Sequence, residues 1–314
     1  MKFTFAYDVS PEDWMLPIFA QGADAVVEDE ECRAGLWWTD TPVFRGERLG
    51  SVGACEFAAP GAAEFLNKCT EYLHREQGRA WVVGPMNGNT WRKHRLILES
   101  DGRAPFLMEP YEAPELLQVF IDAGFEMLSS YSSSVVELSK DLPDFSRLEK
   151  RLAYQGVEVR SLDIGQFEAE LQSIYRLSLE SFANNFLYVP LSEEAFVGGY
   201  LDARDSVDEE LVLMAEVDGE LVAYLFCMPD LLALKAGRRP ALIVKTLASK
   251  NERGLAGIGT YLVGEAQRRA KAKGYDEAIH ALQHEDNSSL RITQRFDARV
   301  FRRYGLMVHS QSAL

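Results

Sequence analysis

The feature that most constrains the fold is a glycine-rich turn between a strand and a helix. Residues 241–249, ALIVKTLAS, are apolar and β-branched, as in a buried strand. Residues 250–259, KNERGLAGIG, follow them and lead into an amphipathic helix. Gly274 ends this helix, and residues 276–283, DEAIHALQ, have the pattern of another strand. This order of strand, turn, helix and strand predicts an α/β fold.

The turn itself suits a phosphate group. A glycine-rich turn before a helix leaves backbone N–H groups free, and the helix dipole adds partial positive charge. Gly254, Gly257 and Gly259 are expected to let a ligand approach the backbone closely. No Gly-Lys-Ser/Thr follows the turn, so it does not match a P-loop. No acidic residue stands at a strand end about 20 positions further on, so it does not match a dinucleotide-binding fold either. We therefore expect a different kind of anion site.

The distribution of charge supports an anion site at the turn. The 314 residues include 33 Lys and Arg and 48 Asp and Glu, which gives a formal net charge of -15. Residues 235–273 run against this trend, with ten basic residues and two acidic ones. A chain of such negative charge repels nucleic acid and anionic lipid, so we expect neither a nucleic-acid nor a membrane partner. The absence of a long apolar run or a cleavage signal predicts a cytoplasmic protein.

Further elements surround this core. They are a strand at 157–163, a helix at 167–182, a helix from Ser192 to about Ala203, a hairpin that turns at Asp218-Gly219, a short helix near 288–296 and a final strand at 298–308.

The cysteines indicate no metal site and no disulfide framework. Cys32, Cys55, Cys69 and Cys227 share no CxxC spacing and have no histidine at a ligand-like spacing. We expect free, buried thiols.

The run VKTLASKNERGLAGIGTYLVGEAQRRAKAKGYDEAIHAL, with Asn287 after it, resembles the acetyl-CoA-binding core of the GNAT superfamily of N-acyltransferases. The resemblance covers about residues 155–310. In that family an Arg/Gln-x-x-Gly-x-Gly/Ala turn holds the CoA pyrophosphate, and the preceding strand offers backbone groups to the pantetheine arm. Here Gly254 fills the Arg/Gln position, and Arg253 stands one place earlier.

The resemblance implies that the protein binds acetyl-CoA or another acyl-CoA. The residues implied to bind it are Lys245, Thr246, Leu247, Arg253, Gly254, Leu255, Ala256, Gly257, Ile258, Gly259 and Asn287.

The first half of the chain repeats the same order more faintly. Residues 50–57 have a strand pattern, a helical pattern then ends at Gly78, and residues 80–87 resume as a strand. A further helix ends at Gly124-Phe125 before another strand. The segment AAPGAAE replaces the glycine-rich turn, so we expect no CoA site in this half.

We therefore predict an α/β protein with a mixed sheet and a tandem GNAT-like fold of two similar halves. A degenerate GNAT-like domain would span 1–143, and a GNAT domain with the CoA-binding turn would span 144–314.

The first half also carries an insertion that the second half lacks. It comprises GPMNGNTWRKHRL (84–96) and PFLMEPY (105–111), and similar segments occur in two-domain GNAT-like proteins. Two interpretations are open, a substrate-binding loop and an interdomain packing loop. For the first, the candidate substrate contacts are Asn87, Asn89, Trp91, Arg92, Glu109 and Tyr111.

Acyl transfer to an amine needs a proton acceptor and assistance to the leaving thiolate. The candidate acceptors are Glu180, Glu216, His280, His284 and a water chain. The tyrosine that the superfamily commonly places on the helix after the fifth strand is absent from SSLRITQRF. Tyr304 in the final strand is the substitute, with cross-strand packing as the alternative.

The leading interpretation is an acetyl-CoA-dependent N-acyltransferase that acts on a small amine. The alternatives are a non-catalytic GNAT-like binding or regulatory module and a Fem-type aminoacyl-tRNA-dependent transferase. The negative charge disfavours a tRNA partner.

Overall fold

A computed structural model of the protein describes residues 1–7, 11–58, 60–201 and 204–311. In these residues the strands are β1 (Lys2–Phe5), β2 (Ala25–Glu28), β3 (Cys32–Trp37), β4 (Val43–Phe44), β5 (Glu47–Arg48), β6 (Gly50–Phe57), β7 (Trp81–Gly84), β8 (Leu96–Ser100), β9 (Glu126–Glu137), β10 (Glu158–Ser161), β11 (Val212–Val217), β12 (Glu220–Pro229), β13 (Ala241–Ser249), β14 (Glu277–His284) and β15 (Arg299–Ser310). The helices are α1 (Leu16–Phe19), α2 (Ala62–Arg75), α3 (Leu116–Asp122), α4 (Ser146–Tyr154), α5 (Phe167–Phe182), α6 (Glu193–Leu201), α7 (Leu231–Lys235), α8 (Ile258–Ala272) and α9 (Ser289–Thr293).

The predicted order of elements in the second half is confirmed from β10 to β15. Asp218 and Gly219 both have positive φ, 51° and 78°, and they join β11 to β12 in a two-residue hairpin. Gly274 also has a positive φ of 88° after α8, as expected of a helix C-terminus. The predicted end of α6 near Ala203 lies outside the described residues.

Each half contains a parallel strand–helix–strand unit, which confirms the predicted internal repeat. In the first half β6 pairs with β7 in parallel across α2, and in the second half β13 pairs with β14 in parallel across α8. A crossover of this kind needs a helix of a dozen or more residues, which α2 and α8 supply.

One continuous sheet joins the two halves. Its order is β1-β2-β3-β6-β7-β15-β9-β14-β13-β12-β11-β10, and β8 pairs with β15 beside this path. The last strand of each half therefore lies between strands of the other half. β9 of the first half pairs with β14, and the C-terminal β15 pairs with β7. This exchange brings the insertion at 84–111 next to the end of β14.

Helices cover both faces of the second half. On one face α8 packs through Leu262 and Ala266 onto the sheet. On the other face α5 packs through Leu171 and Ile174, together with Phe196 of α6. The sheet is thus buried on both sides, as in other α/β proteins.

The four cysteines are free, and Cys32, Cys69 and Cys227 are buried as predicted. Cys55 is half-buried. Among the described residues, no helix combines the length and apolar character needed to cross a bilayer.

Candidate functional site

Strands β13 and β14 run side by side for only four residue pairs and then separate. Their pairing extends from Ala241 opposite Glu277 to Val244 opposite His280. Beyond Val244, β13 pairs only with β12, whereas β14 stays paired with β9, with a register shift between His280 and Gln283. No strand in the described chain pairs with this edge of β13 beyond Val244, so its backbone groups face an opening in the sheet.

The opening contains a cavity of about 160 Å³, here called the inner cavity. It is lined by Phe182, Val244, Lys245, Thr246, Leu247, Val263, His280, Ala281, Leu282, Gln283, Asn287, Ser289, Ile292 and Thr293. Four predicted CoA-binding residues, Lys245, Thr246, Leu247 and Asn287, therefore come together at one cavity.

A second cavity of about 670 Å³, the outer cavity, adjoins the inner one. It is lined by Thr90, Trp91, His94, Arg95, Tyr131, Phe182, Asn184, Asn185, Phe186, Tyr188, Thr246, Leu282, His284, Asp286, Asn287 and Ser288. The two cavities share Phe182, Thr246, Leu282 and Asn287. Together they form one continuous depression that both halves of the chain line.

The glycine-rich turn lies at the start of α8, and its residues line neither cavity. Leu255 and Ile258 are buried in the core, so the turn offers its backbone to solvent. The first N–H groups of a helix have no intrahelical partner. Arg253 is exposed, and Arg151 of α4 donates a hydrogen bond to the Ala256 carbonyl. The turn therefore combines free N–H groups with two guanidinium groups.

The glycines of the turn have conformational and packing roles, and their predicted role in ligand approach stays a prediction. Gly257 has a φ of 86°, which side chains rarely adopt. A Cβ at Gly259 would lie 2.8 Å from Leu247 Cδ2 and 3.0 Å from Ile292 Cδ1. Gly259 thus leaves space for two side chains that line the inner cavity. A Cβ at Gly254 would meet Gln155 Oε1 at 3.3 Å.

Half of the ten cations in the positive window at 235–273 pair with nearby carboxylates. Arg239 pairs with Glu137, Lys273 with Asp208, and Lys250 with Glu220. The window does not form one anion-binding patch, because its cations point to several different partners.

Solved structures resemble this arrangement over nearly the whole chain. A GCN5-related N-acetyltransferase from Sphaerobacter thermophilus has a TM-score of 0.55 and 13% identity, and the match covers 89% of this chain and 76% of that one. A tandem GNAT protein from the clavulanic acid biosynthesis pathway has a TM-score of 0.50 and 12% identity, over 92% of this chain and 83% of that one. The chain has a tandem GNAT fold.

Sequence comparison reaches less of the chain. No protein-family model matches it. The bacterial ceramide synthase of Caulobacter vibrioides is 21% identical over 172 residues, which is 54% of this chain. The match spans 45% of that relative's length.

Within this GNAT fold, neither predicted glutamate lines a cavity. Glu216 on β11 accepts a hydrogen bond from Arg160 Nε at 3.0 Å, and Arg160 also binds Glu170. Glu180 is exposed near the end of α5. Their catalytic roles stay predictions, and the structure does not bring either carboxylate to the depression.

His280 lines the inner cavity, but both of its ring nitrogens have partners. Thr293 Oγ1 donates to Gln283 Oε1 at 2.9 Å, so it accepts from His280 Nδ1 at 2.7 Å. His280 Nε2 then accepts from Gln267 Nε2 at 2.8 Å. Burial lowers the pKa of His280 to about 4. This histidine is a neutral member of a buried network.

Tyr304 lines neither cavity, because β15 directs its side chain into the buried region where the two halves of the chain meet. Its residue exposure is 0%, and its hydroxyl hydrogen-bonds Glu109 and, at 3.0 Å, Ser133 Oγ. Burial, followed by the Glu109 carboxylate, raises the pKa of Tyr304 well above its ordinary value. Its role as an acid stays a prediction.

The candidate substrate residues divide between the cavity and the scaffold. Trp91 lines the outer cavity, and its Nε1 donates to the Val189 carbonyl at 2.7 Å. Asn87 is 6% exposed and bridges Ala54 and Gln21 by hydrogen bonds.

The other four candidates lie away from the cavity lining. Asn89 accepts from the Trp91 N–H at 3.1 Å, and Glu109 pairs with Arg302. Arg92 lies beside Gly22, and Tyr111 is 48% exposed. None of these four lines either cavity.

Two basic residues of the insertion that line the outer cavity were missed by the sequence analysis. They are His94 and Arg95, which follow Trp91 in the run WRKHR. A cluster of basic residues in a strongly acidic half was the available signal. The sequence alone does not show which of these basic side chains faces the outer cavity.

Proposed function

We propose that the protein is an N-acyltransferase that takes its acyl group from a CoA thioester. The observation that carries the proposal is the open edge of β13 beyond Val244, which faces the inner cavity. Unpaired backbone groups at a strand edge hydrogen-bond an extended chain that carries amides. The pantetheine arm of CoA is such a chain, so these residues fit it.

The start of α8 would hold the phosphate end of the same molecule. Free N–H groups at a helix N-terminus favour an anion, and the dipole adds to the attraction. Arg253 and Arg151 lie at this turn and provide full positive charges. Gly257 provides the backbone conformation on which the turn depends.

The outer cavity would receive the amine. It meets the inner cavity at Phe182, Thr246, Leu282 and Asn287, so an amine there would lie beside the donor. Holding the reactants together in this way removes much of the entropic barrier. Asp286 is the carboxylate that lines the outer cavity, and we assign to it acceptance of the ammonium proton.

Bound acyl-CoA supplies an activated carbonyl carbon, and the protein supplies position. Phe182 and Leu282 place apolar surface around the junction of the cavities and limit access of water. The small inner cavity, about 160 Å³, favours a short acyl group. We therefore propose acetyl-CoA as the donor and a small molecule as the acceptor.

The Caulobacter relative supports amide formation as the reaction. A ceramide is an N-acylated amino alcohol, so the name of that protein denotes acyl transfer to nitrogen. The match covers about half of this chain, and it supports the class of reaction without identifying the acceptor.

Calorimetric titration with CoA and acetyl-CoA tests the proposal. We expect one site per chain, and Ala281→Trp should abolish binding because Ala281 lines the inner cavity. Ala272→Trp at the exposed end of α8 is the matched control and should bind normally. Absence of CoA binding would overturn the proposal, and binding without transfer to any amine would favour a regulatory module.

A further inference from the structure

Arg95 is the most unusual side chain at the outer cavity. It lies just before β8, is 7% exposed and has a φ of 74°. Its guanidinium donates to the Leu282 carbonyl at 3.2 Å and to His94 Nε2. A positive φ is uncommon for an arginine, so packing on all sides determines this position.

The charge of Arg95 has no counter-ion in the described part of the chain. Among the described residues no carboxylate pairs with it, and its Nε has no hydrogen-bond partner. Buried arginines are nearly always paired, because an unpaired charge away from water is costly. Burial lowers the pKa of Arg95 to about 10. The guanidinium can therefore bind an anionic group of a ligand.

The surroundings of Arg95 fix its orientation. Its guanidinium carbon lies 3.9 Å from the centroid of the Tyr131 ring. His94 Nδ1 donates to the Arg92 carbonyl at 2.8 Å, so the other nitrogen of this ring accepts from Arg95. The guanidinium is thus held in place before any ligand arrives.

His284 also has a hydrogen-bond donor without a partner, and it lies beside the same Tyr131 ring as Arg95. The Asp286 N–H donates to His284 Nδ1 at 3.1 Å, so the proton of the neutral imidazole is on Nε2. Nε2 is buried and has no partner among the described residues. The His284 ring lies 4.9 Å from the Tyr131 ring, edge to face. Arg95 and His284 therefore offer donors beside one tyrosine.

We propose that Arg95 and His284 bind a carboxylate on the amine acceptor, so that the acceptor is an amino acid. This inference rests on the proposed function and specifies its substrate class. A ligand that meets unused donors must accept hydrogen bonds, and guanidinium groups bind carboxylates with two parallel bonds. The net charge of -15 favours a singly charged carboxylate over a doubly charged phosphate. Asp286 at the same cavity suits the amino group.

Matched pairs of acceptors test the proposal through transfer from acetyl-CoA. We would compare L-amino acids with the amines left by removal of the carboxylate, such as L-leucine with 3-methylbutylamine and L-phenylalanine with phenethylamine. We expect kcat/KM to favour at least one amino acid over its amine by about 100-fold or more. Equal use of both members in every pair would overturn the proposal.

Variants then identify the residues responsible. Arg95→Met should remove the preference by raising KM for the amino acid, with CoA affinity unchanged. His284→Phe keeps the ring but removes the donor, and should raise the same KM by about tenfold. Arg303→Met, an exposed arginine on β15, is the control and should behave as wild type. A preference that survives both Arg95→Met and His284→Phe would contradict the assignment.

A binding measurement separates this proposal from the proposed function. Thermal unfolding would be followed with acetate, glycine, inorganic phosphate or methylamine, each without CoA. Acetate and glycine should raise the Tm of the wild type but not that of Arg95→Met. This result would support the anion site even if CoA did not bind. Stabilisation by phosphate without stabilisation by carboxylates would overturn the carboxylate assignment.

Discussion

Arg302 and Glu109 form an ion pair with side-chain exposures of 1% and 0%. Arg302 also donates to the Arg103 carbonyl, and the Tyr304 hydroxyl donates to Glu109. The pair links the loop before α3 to the C-terminal strand β15, 193 positions away in the chain. A buried ion pair therefore stabilises the exchange of strands between the halves. Arg95, by contrast, has no carboxylate partner among the described residues.

The first prediction concerns the Arg302–Glu109 ion pair. Arg302→Met leaves the buried Glu109 carboxylate without a cation, so the free energy of unfolding should fall by about 3–5 kcal/mol. Arg303→Met is the control, because Arg303 is 53% exposed and pairs with the exposed Glu99. Its effect should stay below about 1 kcal/mol. Urea denaturation followed by circular dichroism measures both, and equal small losses would show that the pair contributes little.

The second prediction is that Arg95→Met has a different effect on stability from Arg302→Met. The substitution leaves no buried carboxylate without a partner, but His94 Nε2 and the Leu282 carbonyl each lose a donor. We expect the free energy of unfolding to fall by about 1–3 kcal/mol, less than in Arg302→Met. The same denaturation experiment measures it. A loss as large as that of Arg302→Met would indicate a structural arginine.

Local sequence patterns were sufficient to predict the helices and strands. They were not sufficient to predict which strands pair with each other. The dipeptide Asp218-Gly219 predicts its hairpin because two residues with positive φ are enough to reverse the chain. The pairing of β9 with β14 depends on contacts far apart in sequence, for which neither strand carries a local pattern. Arg95 could be suspected from the run WRKHR, but its inward direction depends on Tyr131 in β9.

The third prediction separates backbone strain from ligand binding. Gly257 and Gly274 have similar φ values, 86° and 88°, at opposite ends of α8. Alanine at either position should cost about 1–2 kcal/mol of stability. A Cβ at Gly257 would also press on Leu148 at 3.1 Å, whereas nothing lies within 4 Å at Gly274. Gly257→Ala alone should weaken CoA binding, by about tenfold or more in a calorimetric Kd. Equal affinities would place the phosphate away from this turn.

The fourth prediction is a loss of stability in mild acid. Burial lowers the pKa of all five histidines, and that of His280 falls to about 4. Histidine in the unfolded chain titrates near pH 6.5, so protons favour the unfolded state below that pH. The stability that depends on neutral histidines is fully present above about pH 6.5, and it is lost progressively as the pH falls towards about 4. His280 alone should account for about 2 kcal/mol between pH 7 and pH 5.

Urea denaturation at several pH values between 5 and 7 checks this dependence. His280→Gln should flatten it, because the amide keeps a donor and an acceptor without titrating. The comparison uses the slope with pH and not the absolute stability. An unchanged slope in His280→Gln would show that His280 does not carry the effect.

The fifth prediction concerns Tyr304, which the sequence suggests as the acid that assists the leaving thiolate. The residue is 0% exposed and lines neither cavity, and its hydroxyl donates to Glu109. The raised pKa of this phenol also makes it a poor proton donor. Tyr304→Phe should therefore lower the free energy of unfolding by about 1–3 kcal/mol, since Glu109 loses a buried partner.

Turnover is the measurement that decides between the two roles of Tyr304. With a structural role, Tyr304→Phe should change kcat by no more than roughly twofold at a temperature where the variant is folded. Tyr154→Phe is the control, because Tyr154 is 88% exposed and should affect neither quantity. A loss of about 100-fold in kcat, with CoA affinity and stability unchanged, would show that the phenol does reach the reacting atoms. That outcome would require β15 to move relative to β9 during turnover, because Tyr304 pairs with Tyr131 across that strand boundary.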